Sequence, residues 1–145
     1  MTIVELGPEA AEAAVGLWAT TGLTRPWNDA YADFARAVEG SSSAVLGLYD
    51  GDTLVGTAMV GADGHRGWVY YLASHPQRRG EGIGRALMEA AERWVEDRGM
   101  PKIQLMVRRT NTAVLDFYTA LGYAEQDTLV LGRRFDGNAG GAVSS

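Results

Sequence analysis

Three glycines fall at alternate positions in Gln77-Arg78-Arg79-Gly80-Glu81-Gly82-Ile83-Gly84-Arg85, between an uncharged aromatic stretch and an amphipathic one. Glycine there lets the backbone turn tightly and approach a ligand with no Cβ in the way. Trp68–Ser74 before the run is rich in β-formers, and Ile83, Leu87, Ala91 and Trp94 after it share one face of a helix. A strand that turns through glycines into a helix start gathers successive amide N–H groups, and the helix dipole adds its field, so an anion is favoured. Phosphate or pyrophosphate is the guest this suits, and Arg78, Arg79 and Arg85 surround it with cations. Two phosphate loops are excluded: Arg85 stands where the dinucleotide fingerprint needs glycine or alanine, and no Gly-Lys-Ser/Thr completes a P-loop. The plainer alternative is a glycine-rich turn without a ligand.

The other elements follow from periodicity and breakers. Thr2–Leu6 predicts a strand; Pro8 opens a helix through Ala11, Val15 and Trp18 to about Thr20. Arg25-Pro26-Trp27-Asn28-Asp29 reads as a loop ending in a cap, with Asn28 as N-cap, before a helix whose apolar face is Tyr31, Phe34, Ala35 and Val38 and which Gly40 ends. Strands over Ala44–Tyr49 and Thr53–Ala62 flank the turn Asp50-Gly51-Asp52, and Asp63-Gly64-His65-Arg66-Gly67 turns into Trp68–Ser74, a central, buried strand. Gly99 and Pro101 stop the long helix, Lys102–Val107 is a strand, Thr110–Leu121 a shorter helix, and Tyr123–Glu125 and Leu129–Gly132 two final strands. This order describes one α/β (α+β) domain over residues 1–135, with 136–145 a disordered tail of glycine, alanine and serine.

Composition removes whole classes of function. The 145 residues include no cysteine, so disulfides, thiolate nucleophiles and cysteine-bound zinc are excluded. His65 and His75 are the only histidines, and no metal is expected. No apolar stretch approaches the ~20 residues of a membrane span, and Glu5, Glu9 and Glu12 interrupt any signal peptide, so a cytoplasmic protein is expected. The net charge of −5 argues against a nucleic-acid partner. Residues 1–65 hold nine acids and two arginines, a balance of −7, whereas residues 66–145 stand at +2. That division suits a cationic ligand near the first half and an anionic one near the second, or two differently solvated faces.

In register, Gln77-Arg78-Arg79-Gly80-Glu81-Gly82-Ile83-Gly84 resembles the acetyl-CoA loop of the GNAT superfamily of N-acetyltransferases, Q/R-x-x-G-x-G/A. Leu72-Ala73-Ser74-His75-Pro76 resembles the end of that family's fourth strand, and Asn111-Thr112-Ala113…Phe117-Tyr118…Leu121-Gly122-Tyr123 its N-x-x-A-x-x-F-Y-x-x-x-G-F/Y hallmark, with the alanine one position early and Val114 in its place. Motifs and element order match over roughly residues 2–134. Within the family, Arg25-Pro26-Trp27-Asn28-Asp29 and Asp63-Gly64-His65-Arg66-Gly67 resemble the small bacterial YpeA-type acetyltransferases. The implied fold is a GNAT-like single domain, a mixed, mostly antiparallel sheet of six to seven strands flanked by about four helices.

The resemblance implies acetyl-CoA as co-substrate and an amine, small-molecule or peptide, as acceptor. Its pantetheine arm would lie between the strands at 68–74 and 102–107 on backbone groups of Leu72, Ala73 and Ser74. Its pyrophosphate would lie on the amides of Arg79, Gly80, Glu81, Gly82, Ile83 and Gly84, beside Arg85. Asn111 would reach the arm or cap the following helix, or both. A backbone amide at a strand bulge around Leu72–Ser74 would stabilise the oxyanion, and Tyr118 would protonate the leaving thiolate; by periodicity alone Tyr118 is a core residue. The strand lacks the glutamate that many relatives use as base, which leaves a water chain ending at an acid or at His65, itself equally a solvated turn residue. Trp27, Asn28 and Asp29 fall where such enzymes receive the acceptor, although Trp27 also suits a hydrophobic staple. Without a cysteine to carry the acetyl group, direct transfer in a ternary complex is expected rather than ping-pong chemistry. The alternative function is a catalytically idle acyl-CoA-binding module. Leu129–Leu131 is a candidate edge for pairing two copies as a homodimer.

Overall fold

Alternating β-formers on either side of Asp50-Gly51-Asp52 close a tight hairpin of β2 (Ser43–Asp50) and β3 (Thr53–Ala62), the centre of the sheet. The computed structural model describes residues 1–137; all of the expected tail except Asp136 and Gly137 lies outside the described residues. The described chain forms two units, one of residues 1–24 with 28–106, the other of residues 25–27 with those after Met106.

In the first unit, β1 (Thr2–Glu5) pairs with β2, β3 with β4 (Gly67–Ser74), and β4 with β5 (Ile103–Leu105), giving one sheet in sequence order. All pairs are antiparallel except β4–β5, which is parallel and needs a crossover; α3 (Ile83–Asp97) provides it. Neighbouring residues of β3 show how the layers form, because successive side chains on a strand point to opposite faces. Thr57 meets Trp18 of α1 (Ala11–Thr20). Gly56 faces α3 so closely that a Cβ would lie 2.5 Å from Ile83 Cγ2 and 2.7 Å from Leu87 Cδ1. Helices α1 and α2 (Ala30–Glu39) therefore cover one face and α3 the other. Trp18, Phe34 and Val45 anchor the first core layer, and Ile83, Leu87, Met88, Ala91, Trp94 and Val95 turn α3's apolar stripe inward.

Several expectations are corrected. The N-cap of α2 is Asp29, not Asn28: its carboxylate accepts the Ala32 N–H at 3.0 Å. The buried stripe keeps Phe34 but runs through Ala37, which turns Tyr31 (53% exposed) and Ala35 outward. β4 is central but only partly buried, with Tyr70 42% exposed. The strand expected over Lys102–Val107 shortens to Ile103–Leu105.

The second unit holds α4 (Thr112–Ala120) and the segment after it. The strands expected at 123–125 and 129–132 do not form, so among the described residues the sheet has five strands rather than six to seven. Tyr123 N–H turns back to Tyr118 O at 3.0 Å, and between the two segments Thr128 N–H donates to Gln126 O at 2.6 Å; a strand exists only where a ladder partner takes its polar groups. Leu129, Val130 and Leu131 are 81%, 71% and 90% exposed and lie outside the sheet. Among the described residues, no helix is long and apolar enough to cross a membrane.

Candidate active site

The β4 strand breaks its own regularity midway. Thr57 pairs with Ala73 and Met59 with Tyr70, so Tyr71 and Leu72 together face the single residue Ala58. The bulge thus sits at Tyr71–Leu72, ahead of the Leu72–Ser74 position expected, while Ala73 and Ser74 keep regular partners. Tyr71 takes a φ of +50°, which a bulky residue adopts only when its surroundings hold it there. Three contacts do so. The Thr57 hydroxyl donates to the Tyr71 carbonyl at 3.0 Å and accepts the Trp18 indole N–H at 2.8 Å. The Tyr71 ring lies flat on Trp18, 3.9 Å between centroids and 12° apart. The Tyr71 hydroxyl donates to Asp33 Oδ2 at 2.7 Å. Burial first, and then the Asp33 carboxylate, pushes the Tyr71 phenol far above its ordinary value and keeps it a neutral donor. Sequence reasoning missed Thr57 and Asp33. The available signal was a lone hydroxyl in the run Leu54-Val55-Gly56-Thr57-Ala58-Met59-Val60; Thr57 is fully buried.

Next to the bulge, β4 runs past its neighbour. The β4–β5 ladder ends at Val69 with Leu105, but β4 continues to Ser74. Among the described residues no strand continues that ladder beside Tyr70–Ser74, so that flank of β4 has no ladder partner. From Ser74 the chain enters a 3-10 turn, Pro76–Arg78, capped by His75, whose Nδ1 accepts the Gln77 N–H at 3.2 Å. This is the loop role expected of His75.

Gly80 and Gly82 have φ of +85° and +78°, and a Cβ on either would touch nothing within 4 Å, so conformation rather than crowding requires glycine. Gly82 caps α3, and the first helical bond runs from Ala86 N–H to Gly82 O at 3.0 Å. The N–H groups of Ile83, Gly84 and Arg85 thus precede the helical ladder and point out of its N-terminus. The glycine turn thus leads into a helix start, as the sequence predicts. Arg78, however, is engaged elsewhere: it donates to Glu81 at 2.7 and 2.8 Å and to Asp50 at 2.9 Å. It braces the loop against the β2–β3 hairpin, leaving Arg79 and Arg85 as the loop's other cations.

In the second unit, Asn111 caps α4, accepting the Val114 N–H at 3.4 Å. Tyr118 is 8% exposed and meets Phe117 and Tyr123 edge-on, at 5.1 and 5.7 Å between centroids. Burial pushes its phenol up to about 12, so it holds its proton throughout the neutral range.

Three of the residues expected to meet the acceptor have structural partners of their own. Asp29 spends its carboxylate on the first turn of α2. The Trp27 carbonyl accepts from Arg134. His65 lies in the turn that opens β4, where Asp63 Oδ1 accepts the His65 and Arg66 N–H groups at 2.8 and 2.7 Å. Those bonds hold the Asp63 carboxyl below the usual carboxylate range. His65 is six positions from Tyr71, about 20 Å along an extended strand, so it serves the turn and not the bulge.

A family model described as "Acetyltransferase (GNAT) family" matches residues 11–123. An acetyltransferase of Yersinia pestis (strain Pestoides F) is 42% identical over 123 residues, covering 85% of this chain and 87% of that protein. Among solved structures, the aminoglycoside N-acetyltransferase AAC(6')-Iy in complex with CoA superposes with a TM-score of 0.79 at 18% identity, over 92% of this chain and 93% of that one. The ribosomal-protein-S18-alanine N-acetyltransferase of Escherichia coli gives a TM-score of 0.75 at 26% identity, over 86% and 78%. The chain belongs to the GNAT family and is an N-acetyltransferase.

Proposed function

We propose that this enzyme moves the acetyl group of acetyl-CoA directly onto an amine within a ternary complex. The observation that carries the reading is the flank of β4 at Tyr70–Ser74 without a ladder partner, which leads through a 3-10 turn into the glycine turn at the N-terminus of α3. A strand flank presents amide donors and acceptors at regular spacing, which suits an extended amide-bearing arm; a helix start suits an anion. Leu72, Ala73 and Ser74 hold the pantetheine, and the amides from Arg79 to Gly84, with Arg85, hold the pyrophosphate. Asn111 contributes to the arm as well as capping α4.

In the reaction, the neutral amine nitrogen attacks the thioester carbonyl carbon, forming the C–N bond. The carbonyl oxygen takes the negative charge, and a backbone N–H at the Tyr71–Leu72 bulge donates to it. The C–S bond then breaks, and Tyr118 protonates the departing sulfur; its buried phenol, neutral up to about 12, is stocked with that proton. The amine's surplus proton leaves to water, and water returns a proton to the Tyr118 phenolate. Trp27, Asn28 and Asp29 line the acceptor's approach in this reading.

Thiol release tests it, measured with acetyl-CoA against alkylamines, lysine peptides and peptides with a free alanine N-terminus. Acceptor-dependent release, together with a melting temperature raised by acetyl-CoA, is expected. Absence of both defeats the reading.

A further inference from the structure

Asp33 is one tyrosine side chain away from the β4 bulge. Its Oδ2 accepts the Tyr71 hydroxyl at 2.7 Å and its Oδ1 pairs with Arg36. The Asp33 side chain is 25% exposed and that of Arg36 71%, so one end of the pair is fixed and the other stands in water. Beside them lies a shallow open depression of about 250 Å³, lined by Asp33, Arg36, Ala37, Ser43 and Met59.

Bracing Tyr71 does not call for a charge. A hydroxyl donor is satisfied by any neutral oxygen, and a partly buried carboxylate bears a desolvation cost that an amide would avoid. The charge has its own local partner, but an exposed i,i+3 ion pair is worth only about 0–1 kcal/mol, so a ligand cation displaces Arg36 with little loss. Residues 1–65, to which Asp33 belongs, carry a balance of −7, which favours a cationic arrival.

That cation is not the nitrogen to be acetylated. A carboxylate in contact would hold its proton in place, and Tyr71, a neutral donor already directed at Asp33, cannot remove it. The bulge backbone, where the acyl chemistry is placed above, is at the other end of the Tyr71 side chain. We infer that Asp33 anchors a second cationic group, so that the acceptor is a small diamine or polyamine, with Arg36 holding the site until it arrives. This rests on the acetyl-transfer reading of the preceding subsection.

The test uses the full chain, saturating acetyl-CoA, and straight-chain diamines from ethane-1,2-diamine to hexane-1,6-diamine, each against the alkylamine of equal length. Wild type should prefer at least one diamine over its monoamine by roughly ten- to a hundredfold in kcat/KM, the worth of one charged hydrogen-bonded contact. Asp33→Asn keeps an acceptor for Tyr71 and removes the charge; the preference should collapse through KM, with the melting shift from acetyl-CoA retained. Arg36→Gln, on an exposed side chain, should lower the diamine KM about twofold, the scale of one surface ion pair. A wild type that acetylates monoamines or peptides without preferring diamines overturns the proposal alone. A preference kept in Asp33→Asn, or a diamine KM that rises in Arg36→Gln, does the same. If no amine or peptide is acetylated at all, the reading beneath it falls, and the proposal with it.

Discussion

The Trp18 indole and the Tyr71 phenol stack face to face, 3.9 Å between centroids, and the same Trp18 reaches past the ring to Thr57, which in turn holds the Tyr71 carbonyl. One buried indole therefore fixes both the side chain and the backbone of the residue whose φ is +50°. A β-bulge that aims an amide needs this kind of support, because a loose donor stabilises a developing oxyanion poorly.

Thr57→Val removes the middle of that chain. Trp18 Nε1, buried in the core, loses its acceptor, and the part-buried Tyr71 carbonyl loses its donor. The expected loss of stability is about 1–3 kcal/mol by denaturant titration, for buried polar groups left unpaired, and kcat should fall with it as the bulge loosens. Ser at this position should recover most of both.

Gly82→Ala puts a side chain where φ is +78°. The strain is about 1–2 kcal/mol in the left-handed region, with no steric clash to add. It should appear chiefly as a weaker melting shift with acetyl-CoA, because the strained turn is the one that aims the α3 amides.

Gly56→Ala fails for a different reason, contact with Ile83 and Leu87 of α3, which packs directly on that face. Overpacking of this kind costs about 1–3 kcal/mol. The melting temperature should drop while KM for acetyl-CoA stays near wild type in the protein that remains folded.

Tyr118→Phe should lower kcat by roughly a hundredfold, within the range for loss of a general acid, and spare acetyl-CoA binding. The pH dependence follows from the raised phenol. Its value rises from the ordinary 10 to about 12 on folding, so folding holds the proton more tightly. Its contribution to stability is complete below pH 10 and is lost between about 10 and 12. Below that window, kcat should show no falling limb from this residue.

The sequence made the cradle legible because its signals are local. Gly80, Gly82 and the stripe from Ile83 to Trp94 state their conformation within a few residues. The long-range contacts were not legible. Thr57 is 14 positions from Tyr71, and Asp33 is 38; only the sheet register and the packing of α2 bring them together. The Asn28 cap failed because adjacent Asn and Asp are near-equal N-caps, and the choice depends on where α2 is set by burial of Phe34 and Ala37. The final strands failed because β-propensity, as in Leu129–Leu131, describes a surface ready to pair and not the existence of a partner.

Direct transfer is the central claim, and initial rates over a matrix of acetyl-CoA and acceptor concentrations test it. A ternary complex gives double-reciprocal lines that intersect. Parallel lines would mean that the acetyl group rests on the protein between substrates, and would contradict the account.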